Sequence, residues 1–68
     1  MKHPRIEFDS ENTPFVRDTN ITVEEILHKL VTGSRVEDIL IERPGLVPDD
    51  IYAAVVFAAD SVAARQSR

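Results

Sequence analysis

The residues best suited to chemistry in this chain are two histidines and a pair of adjacent aspartates. His3 and His28 lie far apart in the sequence, with no cysteine and no converging carboxylate pattern near either. A lone histidine seldom marks a site, so His28 is expected at an exposed or boundary position of a helix. Asp49 and Asp50 resemble a metal pair, but acidic residues at a helix N-terminus are favoured by the helix dipole alone. We therefore predict no enzymatic activity, no metal site and no cofactor.

The charge of the chain indicates what kind of partner it would attract. The net charge is −4 over 68 residues, and the acidic excess is concentrated between residues 22 and 60, where eight acidic side chains face Lys29, Arg35 and Arg43. An acidic body repels phosphate and attracts basic partners. Nucleic acid is therefore not the default ligand.

The length of the chain predicts one domain, residues 1–68, with a small core. A domain of this size buries only about 60% of the surface of its unfolded chain, and no cysteine is present to form a disulfide. Association with a second copy or a partner is the remaining source of stability. No apolar run approaches the roughly 20 residues of a membrane span, and no signal peptide is evident after Met1, so a cytoplasmic location is expected.

Residues 1–21 are predicted to form a short β arm. Residues 5–9 alternate between polar and apolar types, which places Ile6 and Phe8 on one face with the period of a strand. A turn at 10–13 and a second strand from Pro14 would complete a hairpin, with the proline at its start because proline cannot donate to a ladder.

The first of three predicted helices covers residues 23–32. Thr22 and Glu25 have the spacing of a capping box, in which the side chain of each residue accepts a hydrogen bond from the backbone N–H of the other. Gly33 suits the left-handed position that often follows a last helical turn.

A second helix is predicted at about 35–42 and begins almost at once. Ser34 and Glu37 have the spacing of another capping box, and Pro44 with Gly45 would end the helix.

The third helix is predicted at about 48–64, followed by a frayed tail at 65–68. Pro48 suits the first helical position, and Asp49 and Asp50 complement the positive end of the helix dipole.

Apolar residues three and four apart give each helix a predicted buried stripe. The stripes are Val23, Ile26, Leu27, Leu30 and Val31; Val36, Ile39 and Leu40; and Ile51, Ala54, Val55, Ala58 and Val62. Further apolar side chains on the third helix exceed what two short helices can cover, so we expect part of it to lie against another chain.

An ordered set of residues runs through residues 13–59 with a characteristic spacing. The set is Pro14, Val16, Thr19, Ile21, Val23, Ile26, Leu27, Gly33, Glu37, Asp38, Ile39, Leu40, Pro44, Leu46, Asp50, Ile51, Ala53, Ala54, Ala58 and Ala59. It resembles the pattern of a small bacterial family known as domain of unknown function 433.

The chain departs from that family pattern at three positions. The family's Gly-Thr-Arg is Asp18-Thr19-Asn20 here, so both the glycine and the arginine are missing. Val47 replaces the usual threonine before the third helix, and a valine side chain cannot cap.

The resemblance implies a trihelical, homeodomain-like fold with an N-terminal strand region. Members of the family are commonly encoded beside a nuclease-like toxin of the PIN type. The resemblance therefore implies an antitoxin that binds the toxin, with binding of its own operator as a further role.

DNA binding through the third helix is disfavoured by its composition. The last helix of a helix-turn-helix enters the major groove and needs basic residues around it. Residues 48–64 contain no lysine or arginine but do contain Asp49, Asp50 and Asp60. The helix would therefore be repelled by phosphates.

One other route to DNA remains open from the sequence. Arg5, Arg17 and Asn20 flank the predicted hairpin, and a dimer could present them as a β-ribbon that reads DNA. The alternative is that these residues only solvate the strand edges.

Four apolar residues are the candidates for binding a partner: Phe15, Tyr52, Val56 and Phe57. Aromatic side chains are common anchors of protein interfaces, although these could instead complete the core beneath the hairpin. The sequence thus predicts a mainly α, three-helix domain with an N-terminal hairpin, which forms a homodimer and masks a toxin protein. The alternatives are a DNA-binding repressor of its own operon and a structural module that only dimerises; no small-molecule ligand is predicted.

Overall fold

The computed structural model describes the backbone of residues 4–66 and the side chains of residues 4–64. Two strands precede three helices: β1 (Ile6–Phe8), β2 (Pro14–Val16), α1 (Val23–Val31), α2 (Val36–Glu42) and α3 (Pro48–Gln66). The predicted class, mainly helical with a short N-terminal hairpin, is confirmed. His3 lies outside the described residues.

The two strands form the antiparallel hairpin that the alternation predicts. Ile6 lies opposite Val16, which directs both side chains into the core. The turn is closed by the Asp9 carboxylate, which accepts hydrogen bonds from the backbone N–H groups of Glu11 at 2.8 Å and Thr13 at 2.9 Å. This local bonding is the usual reason for aspartate in turns.

Helix α1 has the predicted N-cap and the predicted glycine after its last turn, but Glu25 has a different partner from the predicted one. The Thr22 hydroxyl accepts a hydrogen bond from the N–H of Glu25 at 3.1 Å. The Glu25 carboxylate pairs with Arg43 rather than returning to the cap. At the other end Gly33 has φ +105°, and its N–H donates to the Leu30 carbonyl at 3.1 Å.

The predicted start of α2 was wrong by one residue. Ser34 lies one residue before the N-cap of α2, and its backbone N–H closes α1 by donating to the Lys29 carbonyl at 2.9 Å. Arg35 is the N-cap, and its backbone N–H donates to Oδ2 of Asp38 at 3.0 Å. The acid that completes this end is therefore Asp38 and not Glu37.

Helix α3 begins at Pro48 as predicted and runs two residues beyond the predicted end at 64. Val47 has no capping side chain, but its backbone N–H donates to Oδ2 of Asp50 at 3.0 Å. An acid at the third helical position thus supplies half of a capping box. Of the predicted frayed tail, residues 65 and 66 continue the helix, and residues 67 and 68 lie outside the described part.

The core lies where the hairpin meets the three helices. Its buried members are Ile6, Val16, Ile21, Val23, Ile26, Ile39, Leu46, Ile51 and Ala54. The predicted stripes were too wide: Val31 is 83% exposed, and Val36, Val55 and Val62 are also exposed. The face of each helix that packs on this small core is narrower and shorter than the stripe that spacing alone marks.

The lengths of the helices explain why α3 extends past the core. At about 1.5 Å per residue, the 19 residues of α3 span roughly 28 Å, whereas the nine residues of α1 span roughly 14 Å. The side chains of residues 61–64, near the end of α3, are all exposed. No helix in the described part of the chain is both long and apolar enough to cross a membrane.

Candidate interaction surfaces

A groove of about 610 Å³ lies between α1, α3 and the start of β2. We refer to it as the α1–α3 groove. Its apolar lining is Pro14, Val23, Leu27, Val31, Phe57, Ala58 and Val62, with Glu24, His28 and Ser61 as its polar members. Apolar concave surfaces of this kind, with a few polar groups, are typical of binding sites.

The groove is open because the later turns of both helices are uncovered: Val31 of α1 and residues 61–64 of α3 are exposed. Val23, Leu27 and Val31 repeat every four residues and so form one wall of α1. Across from it, the Phe57 ring is held by the Phe8 ring of β1, with centroids 5.7 Å apart and planes tilted by 59°. Tilted aromatic pairs of this kind contribute about 0.5–1.5 kcal/mol beyond the area they bury.

A second apolar surface lies on the solvent side of α3. It consists of Tyr52, Val55, Ala59 and Val62, and we refer to it as the outer stripe. Tyr52 is 72% exposed, and the other three are also exposed. Because Ile51 and Ala54 already fill the core from the other side, α3 is apolar on two faces. Val62 borders both surfaces.

The four predicted partner-binding residues do not form one patch. Tyr52 belongs to the outer stripe, and Phe57 lines the α1–α3 groove. Val56 is half-buried. Phe15 is half-buried in β2 and lines a separate small depression that Asn20 also borders.

Sequence reasoning missed three residues that line the groove: Leu27, Val31 and Val62. It assigned them to the core because their spacing matches a buried stripe. The signal that could have found Val31 and Val62 is their position in the last turns of their helices, where a small partner element no longer reaches.

The two arginines considered for DNA binding are both engaged within the chain. Arg5 donates to Asp50 twice, from Nε to Oδ1 at 2.6 Å and from Nη2 to Oδ2 at 3.1 Å. Arg17 donates from Nε to the Glu7 carboxylate at 2.8 Å. Asn20, the third residue of that prediction, is exposed in the loop after β2.

Asp50 is the buried charged residue within residues 4–64, with no exposed surface. Burial raises the pKa of its carboxyl group, but the hydrogen bonds from Arg5 and from the Val47 N–H, together with the Arg5 charge, outweigh burial and lower the pKa overall. The hydrogen bond to Asp50 in turn raises the pKa of Arg5. The carboxylate therefore stays ionised and is committed to structure.

The surface that remains is acidic. Within residues 4–64, every lysine and arginine side chain forms an ion pair: Arg5, Arg17, Lys29, Arg35 and Arg43. The exposed acidic side chains outside those pairs include Glu11, Asp18, Glu24, Glu37 and Asp49. Glu24 lies on the α1–α3 groove itself. A basic partner would meet this negative potential first.

The loop between β2 and α1 explains one departure from the family pattern. Asp18 has φ +65°, a left-handed conformation that glycine adopts at little cost and aspartate tolerates. The Thr19 hydroxyl next to it donates to the Val16 carbonyl at 2.8 Å and accepts from the Ile21 N–H at 3.0 Å. Nothing in the structure explains the replacement of the family arginine by Asn20.

The sequence profile of a family described as protein of unknown function (DUF433) matches residues 11–58. Comparison with curated proteins and with solved structures gave no match. The matched segment runs from the hairpin turn to the first three turns of α3 and covers more than half of the chain. The chain therefore belongs to the DUF433 family.

Proposed function

We propose that this chain is a non-enzymatic, antitoxin-like interaction module that works in the cytoplasm, self-associates and masks a nuclease toxin of the PIN type. The observation that carries the proposal is the apolar surface left over once the core is filled. Val31 is 83% exposed, Tyr52 72% and Val62 53%. Contiguous apolar surface on so small a domain is typical of a protein interface.

The α1–α3 groove is the part of that surface suited to a toxin. Its apolar wall would receive apolar side chains from a helix of the partner, as in other helix-in-groove complexes. The exposed acidic side chains around it, Glu24 among them, would speed the encounter with a basic protein. Masking then follows from steric occlusion, because the domain would cover the surface that the nuclease needs for its substrate.

DNA binding has less support. In a homeodomain-like arrangement α3 would be the recognition helix, but its exposed face is the outer stripe, which is apolar. A β-ribbon reader would need Arg5 and Arg17, and each already pairs with a carboxylate of this chain. Counterion release, the main source of affinity for DNA, needs unpaired cations.

Two variants with the same change of charge test the proposal. Val31→Asp places an acid in the α1–α3 groove, and Ile41→Asp places one at an almost equally exposed position of α2, 78% exposed, outside the groove. Neither side chain supports the core. We expect Val31→Asp to weaken capture of the protein encoded by the adjacent gene, and inhibition of its nuclease activity, by about tenfold or more.

The control variant, Ile41→Asp, should bind and inhibit like the wild type. Equal capture by Val31→Asp and the wild type would contradict a docking role for the groove. A failure of the wild-type protein to bind or inhibit the adjacent gene product would contradict the antitoxin-like function as a whole.

A further inference from the structure

We infer that α3 pairs in antiparallel orientation with α3 of a second copy of this chain, through the outer stripe. The inference rests on the proposed function, because it names the occupant of one of its two apolar surfaces. It leaves the wall of the α1–α3 groove formed by Leu27 and Val31 for a different protein.

The spacing of the outer stripe is that of a coiled-coil contact. Tyr52, Val55, Ala59 and Val62 follow one another at intervals of three, four and three residues, so they occupy alternating a and d positions of a heptad. Such a row stays on one side of a helix that faces a single partner helix. All four side chains are exposed, so the described part of the fold leaves most of this row uncovered.

The projection of α3 supplies a second reason for a helical partner. The side chains that α3 contributes to the core, Ile51, Ala53, Ala54 and Phe57, all lie in its first half. The last two turns would have to stand in water with little tertiary support, and short isolated helical segments are marginal there. A second helix alongside would supply that support over the full length of roughly 28 Å.

The charges at the two ends of α3 select the antiparallel direction. The exposed Asp49 lies in the first turn of α3, and Arg65 lies in its last turn. In a parallel pair, Asp49 would lie beside its own copy, and like charges would repel. In an antiparallel pair, the acidic end of each helix lies beside the basic end of the other, and the two helix dipoles also oppose each other favourably.

The antiparallel alignment also matches side-chain sizes. Centred near residue 57, it brings Tyr52 against the partner's Val62 and Val55 against the partner's Ala59. Each a position then meets a d position, and the small alanine faces the larger valine at the middle of the contact. A two-fold axis repeats both layers, as expected for a self-complementary dimer.

Replacement of either of two alanines of α3 by aspartate tests the contact. Ala59 and Ala64 are both exposed on α3, but only Ala59 lies on the outer stripe. The solution mass of the wild type, measured by light scattering over a concentration series, should approach twice the 7.6 kDa of one chain. Ala59→Asp should shift the protein to the monomer mass at every concentration, and Ala64→Asp should leave the dimer in place.

The absence of cysteine permits a direct test of direction. A mixture of Tyr52→Cys and Val62→Cys proteins should give cross-linked dimers with a short bifunctional thiol reagent, whereas each variant alone should give few. Efficient cross-linking of Tyr52→Cys with itself would overturn the antiparallel arrangement. A monomeric wild type, or a dimer that survives Ala59→Asp, would overturn the pairing through the outer stripe.

These results are separable from those that test the masking of a toxin. Loss of toxin capture in Val31→Asp with a monomeric wild type would leave the masking of a toxin standing and remove the self-association through α3. A stripe-dependent dimer that captures no toxin would do the reverse.

Discussion

The Arg5 guanidinium and the Asp50 carboxylate form a two-point ion pair, with Nε of Arg5 2.6 Å from Oδ1 of Asp50. The two residues are 45 positions apart in the sequence. The pair joins the residue before β1 to the first turn of α3, and Asp50 also accepts the Val47 N–H. One buried carboxylate therefore caps a helix and fixes the hairpin against it.

Removing that carboxylate should destabilise the fold strongly. Asp50→Ala leaves the Val47 N–H and the Arg5 guanidinium without their acceptor, and the loss of these charge-assisted hydrogen bonds from a part-buried pair should cost about 2 kcal/mol. The measurement is the free energy of unfolding from urea denaturation at a fixed protein concentration. Asp49→Ala, an exposed neighbour in the same helical turn, should change stability by less than about 0.5 kcal/mol. Equal losses in the two variants would contradict the role assigned to Asp50.

The same carboxylate should make stability depend on acid pH. The pKa of Asp50 is lower in the folded chain than the ordinary aspartate value, so the unfolded chain takes up its proton first as the pH falls. Its contribution is present in full above about pH 5 and is lost as the pH drops through the folded pKa. Denaturation midpoints between pH 3 and 7 should therefore fall toward acid. Asp50→Asn should show a flatter profile, and an unchanged slope would refute the assignment.

The left-handed residue after β2 offers a stabilising change. Asp18 has φ +65°, where a side chain beyond glycine is strained. Asp18→Gly relieves that strain but makes the unfolded chain more flexible, so we expect a net gain of about 0.5 kcal/mol. Asp18→Ala keeps the Cβ but removes the polar side chain that lets aspartate tolerate this conformation, so it should lose about 1 kcal/mol of stability. Thermal melts of both variants give the order directly, and a more stable alanine variant would contradict the backbone argument.

Two hydroxyl residues near helix starts should behave differently. The Thr22 hydroxyl accepts the Glu25 N–H, so Thr22→Ala should cost about 1 kcal/mol of stability. Ser34 precedes the true N-cap of α2, so Ser34→Ala should stay within about 0.5 kcal/mol of the wild type. Chemical denaturation distinguishes them. A larger loss for Ser34→Ala would mean that α2 starts where the sequence pattern places it.

The two aromatic residues of α3 should separate folding from association. Phe57 packs on the core and on Phe8, so Phe57→Ala should lower the stability of the monomer by about 2 kcal/mol. Tyr52 is mostly exposed, so Tyr52→Ala should keep the monomer's stability within about 0.5 kcal/mol while it weakens self-association. Denaturation of each variant at low concentration, paired with its solution mass, checks both statements. A monomer destabilised equally by both changes would refute this division.

The sequence predicted the elements well because their signals are local. Thr22 before α1, Gly33 after it and Pro48 at the start of α3 act on backbone groups within a turn, so their spacing is enough to place the helices. The start of α2 was misplaced by one residue because Asp38 has the same spacing from Arg35 that Glu37 has from Ser34, and the structure uses the pair of Arg35 and Asp38.

The surfaces were harder to predict because they depend on how far each helix reaches. Val31 and Val62 have the spacing of core residues, but they lie in later turns of α1 and α3 that the fold leaves exposed. The pairing of Asp50 with Arg5 could not be predicted either, since no local pattern links the two residues. Sequence reasoning did anticipate that α3 carries more apolar surface than the fold covers, and the exposure of Tyr52 agrees with that.

Because burial is uneven along α3, the later turns of this helix should report whether a second chain is bound. Backbone amides around the buried Ile51 and Ala54 are protected from exchange by the core. Those beyond residue 58 would gain protection when a second chain packs against them. Their deuterium uptake should therefore slow as the solution is concentrated, while uptake in α1 stays constant. The magnitude of the far-ultraviolet ellipticity should also increase with concentration, so a dilution series would measure the fraction of associated protein without a label.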